Sequence, residues 1–130
     1  MSHISERERI LVVDDEPANL KVMREVLGND YRLSFAKSGE LALQLIENEP
    51  PKLILLDIMM PDMNGFEVCK VLKSNQHTAH IPVIFVTALA HEQDESEGFA
   101  LGAVDYITKP ISPAIVRARV KTHLSLIQAE

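Results

Sequence analysis

Leu53-Ile54-Leu55-Leu56-Asp57 is the stretch that most constrains this chain. Four consecutive aliphatic residues run into a carboxylate, with Pro50-Pro51 before them and Pro61 and Gly65 after. An apolar run this short, bounded by turn formers and lacking polar alternation, predicts a strand covered on both faces. Such strands belong to parallel sheets flanked by helices. Asp57 then lies at the carboxyl end of a buried strand, where open α/β sheets bind ligands.

The remaining segments fit that frame. Ile10 to Val13 is a continuous β-prone run, followed by Asp14-Asp15-Glu16-Pro17. Pro17 suits the first turn of a helix carrying Leu20, Met23 and Leu27, with Gly28-Asn29 as its stop. Tyr31, Leu33 and Phe35 alternate with Arg32, Ser34 and Ala36, which predicts a half-buried edge strand. Ser38-Gly39-Glu40 can cap a second helix carrying Leu41, Leu45 and Ile46. Gly65 to about Asn75 predicts a third helix with Val68, Cys69 and Leu72 on one face.

Pro82 to Thr87 is a fourth strand that starts on proline, where no ladder donor is lost. His91 to Leu101 predicts a poor fourth helix. It crowds Glu92, Asp94, Glu95 and Glu97, contains Gly98, and keeps its apolar residues for its end, so it should be the least stable element. Val104 to Thr108 is a short fifth strand. Ser112-Pro113 opens a fifth helix with Val116, Val120, Leu124 and Ile127 inward and Arg117, Lys121, Ser125 and Gln128 outward.

Five βα units predict an α/β fold, a doubly wound five-stranded parallel sheet between two helical layers. The amphipathic second strand and the short fifth strand suit the edges of the flavodoxin-like order 2-1-3-4-5. That order puts the ligand crevice between the carboxyl ends of strands one and three.

A chain of 130 residues is expected to form one domain, over 9–128, behind a disordered polar lead-in at 1–8. A formal charge of −6 argues against sequence-independent nucleic-acid binding, which needs a positive field. No apolar run approaches a membrane span of about 20 residues. With one cysteine, Cys69, and no signal-like N-terminus, a cytoplasmic setting is expected.

Every central strand ends in a polar group at the same rim: Asp14-Asp15, Asp57, Thr87 and Thr108-Lys109-Pro110. Three carboxylates in one crevice repel unless they are compensated. A hard divalent cation, Mg²⁺ or Mn²⁺, and the Lys109 ammonium supply the compensation. The chemistry this allows is attack by Asp57 on a phosphoryl group, forming an acyl phosphate. Charge on the equatorial oxygens would be neutralised by Lys109 and the metal, with a hydrogen bond from Thr87.

Val12-Val13-Asp14-Asp15-Glu16, Leu55 to Gly65, Val86-Thr87-Ala88 and Gly102 to Pro110 together resemble a response-regulator receiver domain of the CheY-like superfamily. The resemblance spans about residues 9–128. It implies that Asp57 accepts phosphate from a sensor histidine kinase or a phosphotransfer protein. It implies that Asp14, Asp15, Asp57 and the Met59 carbonyl hold the metal, and that the Lys109–Pro110 bond is cis. Thr87 and Tyr106 match the family's switch pair, which reshapes the face of the fourth helix, fifth strand and fifth helix to control an output domain or partner. The same face allows a homodimer, with Asp105, Arg117 and Arg119 as its charged contacts. The ending from Ala118 to Leu124 resembles receivers that precede cyclic di-GMP enzymes or transcription-factor domains, so the chain is expected to be cut from a longer regulator.

Singly, these residues have plainer readings. Asp14-Asp15 alone suits a helix cap, Thr87 a strand-end hydroxyl, Lys109 a solvated lysine and Tyr106 an edge-strand core aromatic. Cys69 suits a small core residue. His3, His77, His80, His91 and His123 lack metal-ligand spacing. Two other functions compete. An aspartate-nucleophile phosphatase would need Asp-x-Asp after the first strand and a substrate-covering cap, and neither is present. A receiver used purely as a phosphorylation-independent binding module would be expected to lose Asp57, Lys109 or the acidic pair. The expected protein is therefore a switch and not an enzyme, beyond promoting its own phosphorylation and dephosphorylation.

Overall fold

The computed structural model describes residues 7–128, with only the helical backbone of Gln128 included. Most of the expected lead-in thus lies outside the described residues. Five strands and five helices alternate: β1 Arg9–Val13, α1 Pro17–Leu27, β2 Arg32–Ala36, α2 Gly39–Asn48, β3 Leu53–Leu56, α3 Gly65–Ser74, β4 Val83–Thr87, α4 Glu92–Ala100, β5 Asp105–Thr108 and α5 Pro113–Gln128. All pairings are parallel and the order is β2-β1-β3-β4-β5, as the edge-strand reasoning predicted. No helix among the described residues is long and apolar enough to cross a membrane.

Two separate cores explain the uninterrupted apolar strands. Successive strand residues point to opposite faces. Leu11, Val13, Ile54, Leu56, Val83 and Phe85 face α2 and α3, meeting Ala42, Ile46, Val68, Cys69 and Leu72. Ile10, Val12, Leu53, Leu55, Ile84 and Val86 face α1 and α5, meeting Leu20, Met23, Leu27, Val116, Val120 and Leu124. Burial of each such side chain contributes about 1.5–3 kcal/mol, so the central strands are fixed in register by both layers at once.

Local chemistry sets the helix ends. Ser38 Oγ accepts from the Leu41 amide at 3.1 Å, capping α2 as expected. Asn64 and Glu67 form a reciprocal capping box at the start of α3. Two details of the sequence reading change, the inward residue of α2 and the start of β5. Leu41 points outward at 40% exposure, and Ala42 takes the inward position beside Ile46. Its place in the first turn rotates Leu41 off the stripe that Ala42 and Ile46 share. Gly28 ends α1 as expected, with ordinary right-handed backbone (φ −63°), and the Leu27 carbonyl accepts from Asp30 and Tyr31. β5 begins at Asp105, and Val104 contributes one amide bond to Val83 O at 2.9 Å.

Gly65 is needed for a close approach. Its amide donates to Ile58 O at 2.9 Å, closing the loop after β3 upon itself. A Cβ at Gly65 would lie 2.3 Å from Asp57 O and 2.8 Å from Ile58 Cα. Both are backbone atoms and cannot rotate aside. Gly65→Ala is expected to destabilise the fold toward the upper end of the about 1–3 kcal/mol typical of overpacking. Urea unfolding measures this, and an unchanged midpoint would mean the loop relaxes elsewhere.

Candidate functional site

The parallel ladder continues one residue beyond the strands, and this assembles the site. Asp14 N donates to Ala36 O at 3.0 Å, Asp57 N to Val13 O at 3.0 Å and Lys109 N to Thr87 O at 2.8 Å. The first residues past β1, β3 and β5 are thereby pinned to neighbouring strands at one rim. Asp14 and Asp57 are each only 4% exposed, and Thr87 is fully buried.

Lys109 lies between the carboxylates. Its Nζ donates to Asp14 Oδ2 at 2.5 Å and to Asp57 Oδ2 at 3.1 Å. Burial alone would lower the lysine pKa, but the hydrogen bonds and charges of Asp14 and Asp57 outweigh it and hold the group above its ordinary value. The remaining oxygens have local donors. Asp14 Oδ1 accepts from the Glu16 amide (3.0 Å) and Asn19 Nδ2 (3.3 Å), and Asp57 Oδ1 accepts from the Met59 amide (3.2 Å). The Lys109–Pro110 bond is cis, as the resemblance implied.

Asp14, Asp15 and Asp57 each offer an oxygen within 4.8 Å of the others. Two ligands of one Mg²⁺ lie at most about 4.2 Å apart, given bonds near 2.1 Å, so a small inward movement completes a chelating set. Three carboxylates face one ammonium, which leaves the site anionic. The all-oxygen donor set and this residual charge both fit a hard divalent cation.

The expected switch pair is connected through the loop after β4. Tyr106 Oη donates to Leu89 O at 2.7 Å, and Leu89 N donates weakly to Thr87 Oγ1 at 3.4 Å. Burial, and then the charges of Asp94, Glu95 and Asp57, push the Tyr106 phenol up to about 12, so it remains a donor at neutral pH. The Tyr106 ring lies beside Phe85, 6.1 Å between centroids, and Phe85 meets Phe66 edge-on at 5.4 Å.

The expected dimer residues are arranged differently from one another. Asp105 Oδ1 pairs with Arg119 Nη1 at 2.8 Å within the chain, and Asp105 Oδ2 meets His123 Nε2 at 3.0 Å. Arg117 is exposed and apart from this cluster. The sequence reading missed His123, Asn19, the Leu89 carbonyl and the packing of Gly98. Only Gly98 carried a signal, a glycine inside a helical segment.

Beside the rim, between α1 and the loop after β5, an apolar cleft of about 280 Å³ is walled by Val12, Val22, Met23, Leu55, Val86 and Ile111. Asp14, Asn19 and Lys109 form its polar end.

A five-stranded doubly wound parallel sheet in the order 2-1-3-4-5, with an acidic rim, a bridging lysine and a cis proline, describes the CheY-like class of signalling domains. Comparison makes the assignment specific: the model of the response regulator receiver domain matches residues 10–121, and the chain belongs to that family. It is 50% identical over 115 residues to a probable cyclic di-GMP phosphodiesterase of Vibrio cholerae, covering 88% of this chain and 26% of that protein. It is 44% identical over 115 residues to the response regulator PleD of Caulobacter vibrioides, covering 88% of this chain and 25% of that protein. The signal receiver domain of a histidine kinase from Syntrophus aciditrophicus superposes with a TM-score of 0.87 at 31% identity, covering 95% and 94% of the two chains. The chain thus spans about a quarter of the length of these curated relatives.

Proposed function

We propose that this domain is a phospho-acceptor switch whose message is the phosphorylation state of Asp57. The observation that carries this reading is the shared ammonium: Lys109 holds Asp57 and Asp14 together at the rim, beside Asp15. An Asp57 carboxylate oxygen attacks phosphorus, the bond from phosphorus to the donor's imidazole nitrogen or leaving oxygen breaks, and an aspartyl phosphate results. Lys109 is positioned to release Asp57 Oδ2 and pair with a phosphoryl oxygen. The Thr87 hydroxyl, at the end of the neighbouring strand, is the proposed donor to a second oxygen. Asp14, Asp15, Asp57 and the Met59 carbonyl would hold Mg²⁺ or Mn²⁺. Bound there, the ion supplies charge neutralisation for the transferring group.

The proposed donor is a sensor histidine kinase or a phosphotransfer protein. The apolar cleft beside Lys109 offers such a donor an apolar foothold next to the nucleophile. The proposed readout runs from Thr87 through Tyr106 to the face of α4, β5 and α5, and onward to an output domain or partner. Similarity to a cyclic di-GMP phosphodiesterase favours such an enzyme as the output. Under that reading the domain regulates an enzyme and turns over no substrate of its own. A cytoplasmic setting belongs to the same proposal. A homodimer through α4, β5 and α5 would leave the intrachain Asp105–Arg119 pair to be retained or exchanged, with Arg117 available for new contacts.

Intact-mass measurement after incubation with acetyl phosphate tests the reading. A gain of one phosphoryl group is expected with Mg²⁺, and none with a chelator. An unmodified protein under the first condition would leave only a phosphorylation-independent interaction module. A second outcome concerns lifetime. Met59 and Leu89, each two residues beyond Asp57 and Thr87, are apolar and cannot orient an attacking water by hydrogen bonding. Persistence of the aspartyl phosphate for minutes or longer at room temperature is expected, as followed by radiolabel loss. Loss within seconds, with no phosphatase present, contradicts it.

A further inference from the structure

α4 touches the rest of the protein in an unusual way. Its one buried residue is Gly98; Phe99, at the apolar end of the helix, is 48% exposed. Gly98 has no left-handed backbone to explain it, since Gly102 is the one glycine with positive φ among the described residues. Inside a helix, glycine is worse than alanine by about 1 kcal/mol. Something other than helix formation is therefore served at this position.

Packing supplies the reason. A Cβ at Gly98 would stand 3.0 Å and 3.2 Å from Phe85 Cδ2 and Cε2, and 3.4 Å from Tyr106 Cδ2. The bare helix backbone rests directly on the two rings. Phe85 has little room to withdraw, because it is fully buried and Phe66 packs edge-on against it at 5.4 Å. The same two rings lead back to the rim. Phe85 lies two residues before Thr87 on β4, and Tyr106 is tied through Leu89 to the Thr87 hydroxyl. Gly98 O also accepts from Ala103 N at 3.1 Å, joining this point of α4 to the turn that leads into β5.

We infer that Gly98 is a positioning residue for signal transmission: its missing side chain lets α4 ride on the Phe85–Tyr106 pair, so that movement of the Tyr106 ring moves the helix. This rests on the phospho-acceptor reading of Asp57 and names the contact by which that state reaches α4. A methyl group at position 98 favours the helix by propensity but wedges it off the rings by a few tenths of an ångström. Helicity and coupling then change in opposite directions, which separates this role from a purely structural one.

The test compares hydrogen exchange of the α4 amides with and without beryllofluoride and Mg²⁺, a stable mimic of the phosphorylated state, in wild type and Gly98→Ala. Phosphoryl uptake from acetyl phosphate is measured in parallel and is expected to agree within about twofold, since Gly98 does not touch the rim. In wild type, beryllofluoride is expected to change α4 exchange. In Gly98→Ala that change is expected to fall to less than about half, and adding Phe85→Leu, which gives the methyl group space, is expected to restore most of it. An undiminished change in Gly98→Ala overturns the inference, as does a loss that Phe85→Leu does not relieve. A wild type that takes up phosphate without any change in α4 also overturns it, while leaving Asp57 as the acceptor. A wild type that takes up no phosphate removes the phospho-acceptor reading and this inference with it.

Discussion

Lys109→Ala is expected to destabilise the protein at neutral pH by about 3 kcal/mol, the lower end of the about 3–5 kcal/mol typical for removing one partner of a buried ion pair. The Lys109 side chain is 18% exposed and the side chains of Asp14 and Asp57 6% each, so the three groups are largely out of water. Without Lys109, Asp14 and Asp57 remain as buried like charges beside Asp15. The rim opens to solvent on one side, and screening there favours the lower figure. Urea unfolding should show the loss, and millimolar Mg²⁺ should recover part of it by binding the folded form alone. Recovery by Mg²⁺ to the same degree as in wild type would argue against a shared metal and lysine role.

The pH dependence has a definite sign. Lys109 is held above its ordinary pKa of 10.5 in the folded state. The folded form therefore binds the proton more tightly, and this stabilisation is fully present below the unfolded value. It is lost as pH rises from about 10.5 through the folded value. Tyr31 and Tyr106 are also raised and titrate in the same direction, but they are common to both proteins. The stability gap between wild type and Lys109→Ala should therefore narrow as pH climbs through that window. A constant gap would mean that the lysine stabilises by packing its stem and not by charge.

Asp57→Ala is expected to behave in the opposite way. Phosphoryl uptake from acetyl phosphate should fall to background, because neither Asp14 nor Asp15 lies at the end of β3. Stability, in contrast, should not fall and should rise in the absence of divalent cations. Asp14 and Asp57 share one ammonium beside the further carboxylate of Asp15, and removing Asp57 leaves Lys109 paired with Asp14 at 2.5 Å. Relief of like-charge repulsion then exceeds the loss of the longer 3.1 Å contact. Such a gain would be the trade of stability against activity expected at a functional centre. Intact-mass analysis and thermal unfolding on the same sample measure both effects. Residual uptake at the wild-type rate would move the acceptor to another residue.

Much of this was legible in the residues alone. The uninterrupted aliphatic runs of β1, β3 and β4 demanded cover on both faces, and the alternating second strand demanded an edge. With the short fifth strand as the other edge, these features imply the order 2-1-3-4-5 that the sheet has. The rim residues were legible because each ends its strand or follows it directly, so strand assignment placed Asp14, Asp57, Thr87 and Lys109 together. Helix details were less legible. Leu41 and Ala42 are adjacent on α2, and hydrophobicity alone favours Leu41, although the helix turns Ala42 inward.

What the sequence by itself determined is the frame and its chemistry: a parallel sheet, a polar rim and a carboxylate at the end of a central strand. Periodicity and strand-end position are local properties, and they survive without knowledge of distant contacts. What only the tertiary structure decided is who pairs with whom. Lys109 lies 95 and 52 residues from its two carboxylates, and packing of separate elements alone brings them within hydrogen-bond reach. Asp105 likewise meets Arg119 and His123 across β5 and α5. Gly98 was a weakness in a poor helix when judged by propensity. In the folded protein it is the point where α4 rests on Phe85 and Tyr106, because close approach between elements depends on what a side chain would displace.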